Sequence, residues 1–108
     1  MAYDEGLAQR VADVLHAMGE RGVRQKNVFG GRGFLRGKTT FVIVWREGLI
    51  VKTPRDEYAP ALRMRGVSPF TPDGEKAMST WVVVAAEEIA EDPELRDWIQ
   101  RALRSLAP

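Results

Sequence analysis

The residues able to do chemistry are few, and their spacing brings none of them together. His16 is the single histidine and cysteine is absent, which removes thiolate nucleophiles, disulfides and thiolate metal sites. His16 lies between Leu15 and Met18 in a helical pattern, where it reads as a surface residue of that helix rather than a general base. Asp4-Glu5, Asp56-Glu57 and Glu87-Glu88 are adjacent carboxylates. Neighbours in sequence do not face each other on a helix, and acids at helix starts have an ordinary electrostatic role. Ser68, Ser79 and Ser105 have no activating base suggested nearby, and nothing singles out Lys26, Lys38, Lys52 or Lys76 for amine chemistry. The expectation is a protein that is not an enzyme and holds no metal or cofactor.

The glycines of Gly30-Gly31-Arg32-Gly33 lack the order of a dinucleotide loop. Gly37-Lys38-Thr39 resembles the tail of a phosphate-binding loop but runs into a strand instead of a helix. A tight hairpin through Gly30-Gly31 accounts for these glycines, with Gly33 beside it. Binding chemistry is better represented. Residues 1–20 carry a net charge of −3, residues 21–65 carry +8 and residues 66–108 carry −4, within an overall +1. Arg24, Lys26, Arg32, Arg36 and Lys38, with Arg21 and Arg46, alternate with Phe29, Phe34 and Trp45. Cations so placed suit phosphates or acidic protein surfaces, and exposed aromatics could stack on unpaired bases. Strand periodicity instead assigns Phe29, Phe34, Phe41 and Trp45 to the sheet core.

The elements that must position these residues are legible from periodicity. Leu7, Val11, Val14, Leu15 and Met18 form the apolar stripe of a first helix, capped by Asp4 and ended by Gly19. Val23–Phe29, Phe34-Leu35, Thr39–Trp45 and Leu49–Lys52 read as a four-stranded antiparallel meander. Its turns fall at Gly30-Gly31, Arg36–Lys38 and Arg46–Gly48. Thr39–Trp45, apolar on both faces, is its central strand, with Phe41, Ile43 and Trp45 on one side and Val42 and Val44 on the other. Thr53 as cap and Pro54 at the first position open a short helix limited by Pro60 and Gly66. Ser68-Pro69 and Thr71-Pro72-Asp73-Gly74 mark an extended connection and a turn. Thr80–Val84 adds a late strand, and Asp92-Pro93 opens a final helix bearing Leu95, Trp98, Ile99, Ala102 and Leu106. The fold class expected is α+β: an antiparallel sheet from a meander plus one late strand, with N- and C-terminal helices packed on it, in one domain over residues 1–108. The longest apolar run, Thr80–Ala86, is far too short to span a membrane. The acidic opening Met-Ala-Tyr-Asp-Glu differs from a secretory signal, so a cytoplasmic location is expected.

The stretch Asn27-Val28-Phe29-Gly30-Gly31-Arg32-Gly33-Phe34-Leu35-Arg36-Gly37-Lys38 resembles the opening signature of the TfoX (Sxy) N-terminal domain family. The likeness continues through Gly48–Lys52, Ser68-Pro69-Phe70, Met78–Val84 and Leu95–Trp98. Asn27 and Val28 stand where that signature usually has lysine and methionine. The resemblance implies a bacterial α+β domain linked to transcription and competence regulation, whose longer relatives carry a second helical domain and act with a cyclic-AMP-responsive activator.

Residues and resemblance together give the expectation of a non-enzymatic regulatory or adaptor domain that binds a protein partner. Arg32, Arg36 and Lys38, with Arg24 and Lys26, are its contact candidates. Gly30, Gly31 and Gly33 shape the hairpin; Phe29, Phe34, Trp81 and Trp98 hold the core. The alternatives are weak DNA or RNA binding through residues 21–46, and an orphan small-ligand or catalytic domain. Either a monomer or a homodimer paired through the Val23–Phe29 edge fits the pattern.

Overall fold

A computed structural model of the chain describes residues 3–46, 48–72, 74 and 76–106. The elements run α1 (Glu5–Ala17), β1 (Val23–Val28), β2 (Gly31–Arg36), β3 (Thr39–Trp45), β4 (Gly48–Lys52), α2 (Arg55–Leu62), β5 (Val67–Pro69), β6 (Trp81–Ala85), a 3-10 turn (Ala86–Ile89) and α3 (Asp92–Arg104). The six strands form one sheet in the order β1-β2-β3-β4-β6-β5, antiparallel throughout. This is the expected α+β arrangement, a meander extended by the late strand with α1 and α3 packed on it. The short edge strand β5 is an addition, formed where Ser68-Pro69 was expected only to connect. Glu47 and Asp73, within two of the expected turns, lie outside the described residues.

Periodicity explains the packing. Leu7, Val11 and Leu15 recur along one side of α1, and Leu95, Trp98, Ile99 and Ala102 along one side of α3. Both stripes meet Phe34, Val42, Val44, Leu49, Val51, Val82 and Val84 in a single core, which also takes Ala61 of α2. Fully burying a side chain of this size contributes about 1.5–3 kcal/mol. On the opposite face Ile43, Ile50, Phe70 and Trp81 make a second, smaller cluster, flanked by Val28, Trp45, Met78 and Val83. No helix of the described residues lies on that side, which is called the open face below.

Several local expectations shift, each for a packing reason. Phe34 pairs with Val42 and Leu35 with Thr40, so Phe41 is an extra residue in β3. A bulge of this kind re-aims a side chain, and Phe41 joins Val42 in the helix-side core instead of following Ile43. Thr53 does not cap α2. It is buried, and its hydroxyl donates to the Thr80 carbonyl at 2.7 Å, leaving Pro54 as an N-cap without a side-chain bond. Asp92 is likewise no cap: it is the first residue of α3, preceded by Glu91, and its carboxylate is engaged by Arg10 of α1 at 2.9 Å. Asp4 does cap α1, accepting from the Leu7 amide at 3.0 Å, and Gly19 follows with φ +78°.

Polar ties fix the helices to one another. Glu57 of α2 accepts from Arg101 Nε at 2.9 Å and from Arg104 at 2.8 and 3.0 Å, while Arg101 lies 4.5 Å over the Trp98 ring. Hydrogen bonding to Arg104 is the largest influence on the Glu57 carboxyl; burial opposes it, and with the Arg101 hydrogen bond and the charges of both guanidiniums added the carboxyl is held below its ordinary range. Replacing Glu57 by Gln should therefore cost about 1 kcal/mol at pH 7, the upper range for partly exposed pairs. A depressed carboxyl contributes fully above the unfolded value of 4.5 and loses its contribution as pH falls through the folded value. Urea unfolding at pH 7 should separate wild type from E57Q, and the two curves should draw together as pH falls below the unfolded value of 4.5 and through the lower folded one.

Candidate binding site at the hairpin turn

The β1–β2 hairpin turns through Phe29-Gly30, one residue earlier than the glycine pair suggests. Val28 pairs with Gly31, and the two residues between them have φ of +53° and +77°. Two left-handed residues in a two-residue loop make a type I′ turn, whose twist matches that of the strands. Gly31 cannot serve in the turn because the sheet needs it in β2, where a Cβ would run into the Val44 carbonyl oxygen. Gly33 meets a similar limit, its Cβ position lying 2.7 Å from Val28 Cγ2. Phe29 is thus forced into a conformation that costs a side-chain-bearing residue about 1–2 kcal/mol.

Phe29 also departs from the expected core role: it is 52% exposed. Its ring meets Phe70 edge-on at 5.4 Å between centroids, and Phe70 meets Trp45 at 6.2 Å. Around these rings Ser68, Pro69, Pro72 and Val83 complete a cleft of about 360 Å³. A strained backbone carrying an exposed aromatic at the mouth of an apolar cleft is the pattern of a binding surface. Phe34, Trp81 and Trp98, by contrast, are buried.

The basic residues do not form one patch. Side chains alternate along a strand, so Arg32 and Arg36 share the helix side with Phe34, whereas Arg24 and Lys26 share the open face with Val28. Arg32 hydrogen-bonds Asn27 at 3.3 Å and lies 6.0 Å over the Tyr3 ring. Arg36 pairs with Glu20 at 3.1 Å. Arg24 donates to the Gly37 carbonyl at 2.7 Å, at the end of the hairpin remote from Phe29. Lys26 and Lys38 are exposed and make no ion pair among the described residues. The local sequence located the cations as a basic run within residues 21–46. It missed Phe29, for which the sole signal was an aromatic immediately before a double glycine.

The family model of the TfoX N-terminal domain matches residues 13–106, nearly the whole chain and all of the hairpin. The chain belongs to the TfoX N-terminal domain family. TfoX N-terminal domains are non-catalytic and are associated with competence and transcription regulation. No curated protein and no solved structure matches significantly. Among the described residues no group of three or more His, Cys, Asp or Glu side chains could hold a metal ion, and no helix is long and apolar enough to cross a membrane. The matched segment contains the Phe29-Gly30-Gly31 turn, so the strain at Phe29 can be tested directly. Ala at position 29 loses the ring and keeps the strain, whereas Gly loses both. Phe29→Gly should therefore be more stable than Phe29→Ala by about 1 kcal/mol, the reverse of the usual order, as read from thermal unfolding midpoints.

Proposed function

We propose that this TfoX N-terminal domain works as a regulatory adaptor that binds an acidic segment of a protein partner at the β1–β2 hairpin. The observation that carries this reading is the exposed, conformationally strained Phe29 at one end of the open face that Lys26 and, farther along the strand, Arg24 share. The aromatic cleft offers an apolar anchor site, and Lys26 and Arg24 on the same face attract negative charge. Lys38 and the helix-side pair Arg32 and Arg36 add to the positive field around the hairpin. Interfaces of this composition place an aromatic anchor at the centre and charges at the rim.

Nucleic acid fits the arrangement less well. Tracking a phosphate backbone takes a continuous cationic groove, but here Arg24 and Lys26 are separated by the sheet from Arg32 and Arg36. Arg36 is also occupied by Glu20.

The test compares wild type with two variants that keep the fold, Phe29→Gly and the double reversal R24E/K26E, each checked by circular dichroism. Partners retained from a bacterial extract are compared by quantitative mass spectrometry. The reading requires a protein retained by wild type, depleted at least about tenfold in both variants, and bound again as a purified acidic protein. Equal retention by all three proteins would overturn it. A labelled mixed-sequence duplex should show no saturable binding at about 50 mM salt. Saturable binding that is lost in R32A/R36A/K38A would replace the protein partner with DNA.

A further inference from the structure

We infer that the acidic partner segment binds as an added β-strand along the free edge of β1, an inference that rests on the reading just given. The two edges of the sheet differ. β5 has three residues and contains Pro69, which has no amide hydrogen to offer. β1 has six residues and no proline. In a two-residue hairpin the residues closing the turn exchange both hydrogen bonds, and such pairs alternate along the ladder. Val28, Lys26 and Arg24 thus direct their amide and carbonyl groups to β2. Val23, Gln25 and Asn27 direct theirs outward, and no loop or cap hydrogen bond among the described residues reaches them.

An added strand would also find places for its side chains. On the helix side two hollows follow one another along the edge, both bordered by Gln25. One, about 160 Å³, has Leu15, Val23 and Phe34 in its lining, with His16 and Glu20 beside them. The other, about 270 Å³, is bordered by Tyr3, Glu5 and Arg32. Pockets for alternate side chains are what gives strand addition its specificity. Partner residues opposite Val23, Gln25 and Asn27 point toward these hollows: Leu15, Val23 and Phe34 give the smaller one room for a small aliphatic group, and the larger, more polar one holds Glu5 and Arg32 of opposite charge and so favours an uncharged side chain. Residues opposite Arg24 and Lys26 point over the open face, where acids are favoured. The segment recognised therefore alternates acidic and aliphatic residues. A second copy of β1 is a poor occupant, because each copy carries two cations and no anion in this strand.

The probe is the capped heptapeptide Glu-Val-Glu-Val-Glu-Val-Glu, compared with the permuted Glu-Glu-Glu-Val-Val-Val-Glu at about 50 mM salt. The alternating peptide should bind at least about tenfold tighter and slow amide hydrogen exchange at Gln25 and Asn27. Gln25→Pro, which removes one outward donor at a position where an edge tolerates proline, should weaken binding about tenfold while leaving the thermal midpoint near that of wild type. R24E/K26E should abolish binding, which tests the edge without altering its backbone. Equal binding of both peptides, no binding at about 1 mM, or slowed exchange confined to the Phe29–Phe70 cleft would overturn strand addition. If it fails while R24E/K26E still depletes the natural partner, the adaptor reading stands and only the mode of binding falls.

Discussion

Strands β3 and β4 bury side chains on both of their faces, and most of the structure follows from having to cover both. Val42, Val44, Leu49 and Val51 require the helical layer, while Ile43 and Ile50 require something on the other side. A sheet with one solvated face escapes this demand; a central pair that is apolar on both faces does not. The chain meets it with α1 and α3 on one side and with Phe70, Trp81 and Met78 on the other. The return from α2 to β6 is thereby held against the open face, through Phe70 N–H to the Trp81 carbonyl at 3.1 Å and Met78 N–H to the Phe70 carbonyl at 2.9 Å. Phe70 then stands where it can meet Trp45 and Phe29.

The same two-sidedness decides where charge can go. The central strands have no room for it, so the cations of residues 21–46 collect on β1, on β2 and in the turns. Alternation along β1 and β2 sends Arg24 and Lys26 to one face and Arg32 and Arg36 to the other. A sequence with a strongly basic middle therefore yields two modest positive surfaces flanking one edge. That geometry suits a strand-like ligand, which presents side chains to both faces at once, better than it suits a duplex backbone approaching from one side.

Much of this was legible in the sequence because period, caps and turn residues agreed with one another. The stripes of α1 and α3, the meander and the late strand came directly from periodicity. The misplacements occurred where tertiary contacts competed for a residue that local rules had already assigned. Thr53 and Asp92 have the chemistry of caps, but a buried carbonyl at Thr80 and a guanidinium at Arg10 claim them. Phe41 keeps its place in the strand and loses its phase to a bulge. β5 was missed because three residues containing a proline carry little strand signal. The candidate binding surface was half legible: its cations were visible as a run, while the exposure of Phe29 depended on a contact between β2 and β3.

That contact explains why an aromatic occupies a turn position that favours glycine. Gly30-Gly31 offers two residues able to adopt left-handed backbone, enough for a type I′ turn on their own. Close approach of β2 to the Val44 carbonyl takes Gly31 into the strand, which shifts the turn back by one and places Phe29 at its first position. From there the ring reaches the cleft lined by Trp45, Phe70 and Val83, in edge-on contact with Phe70 and half exposed. A glycine or asparagine would fit the backbone better; what the domain itself gains from the ring is the edge-on contact with Phe70. The half of the ring left exposed is the part of the turn that the proposed partner would meet.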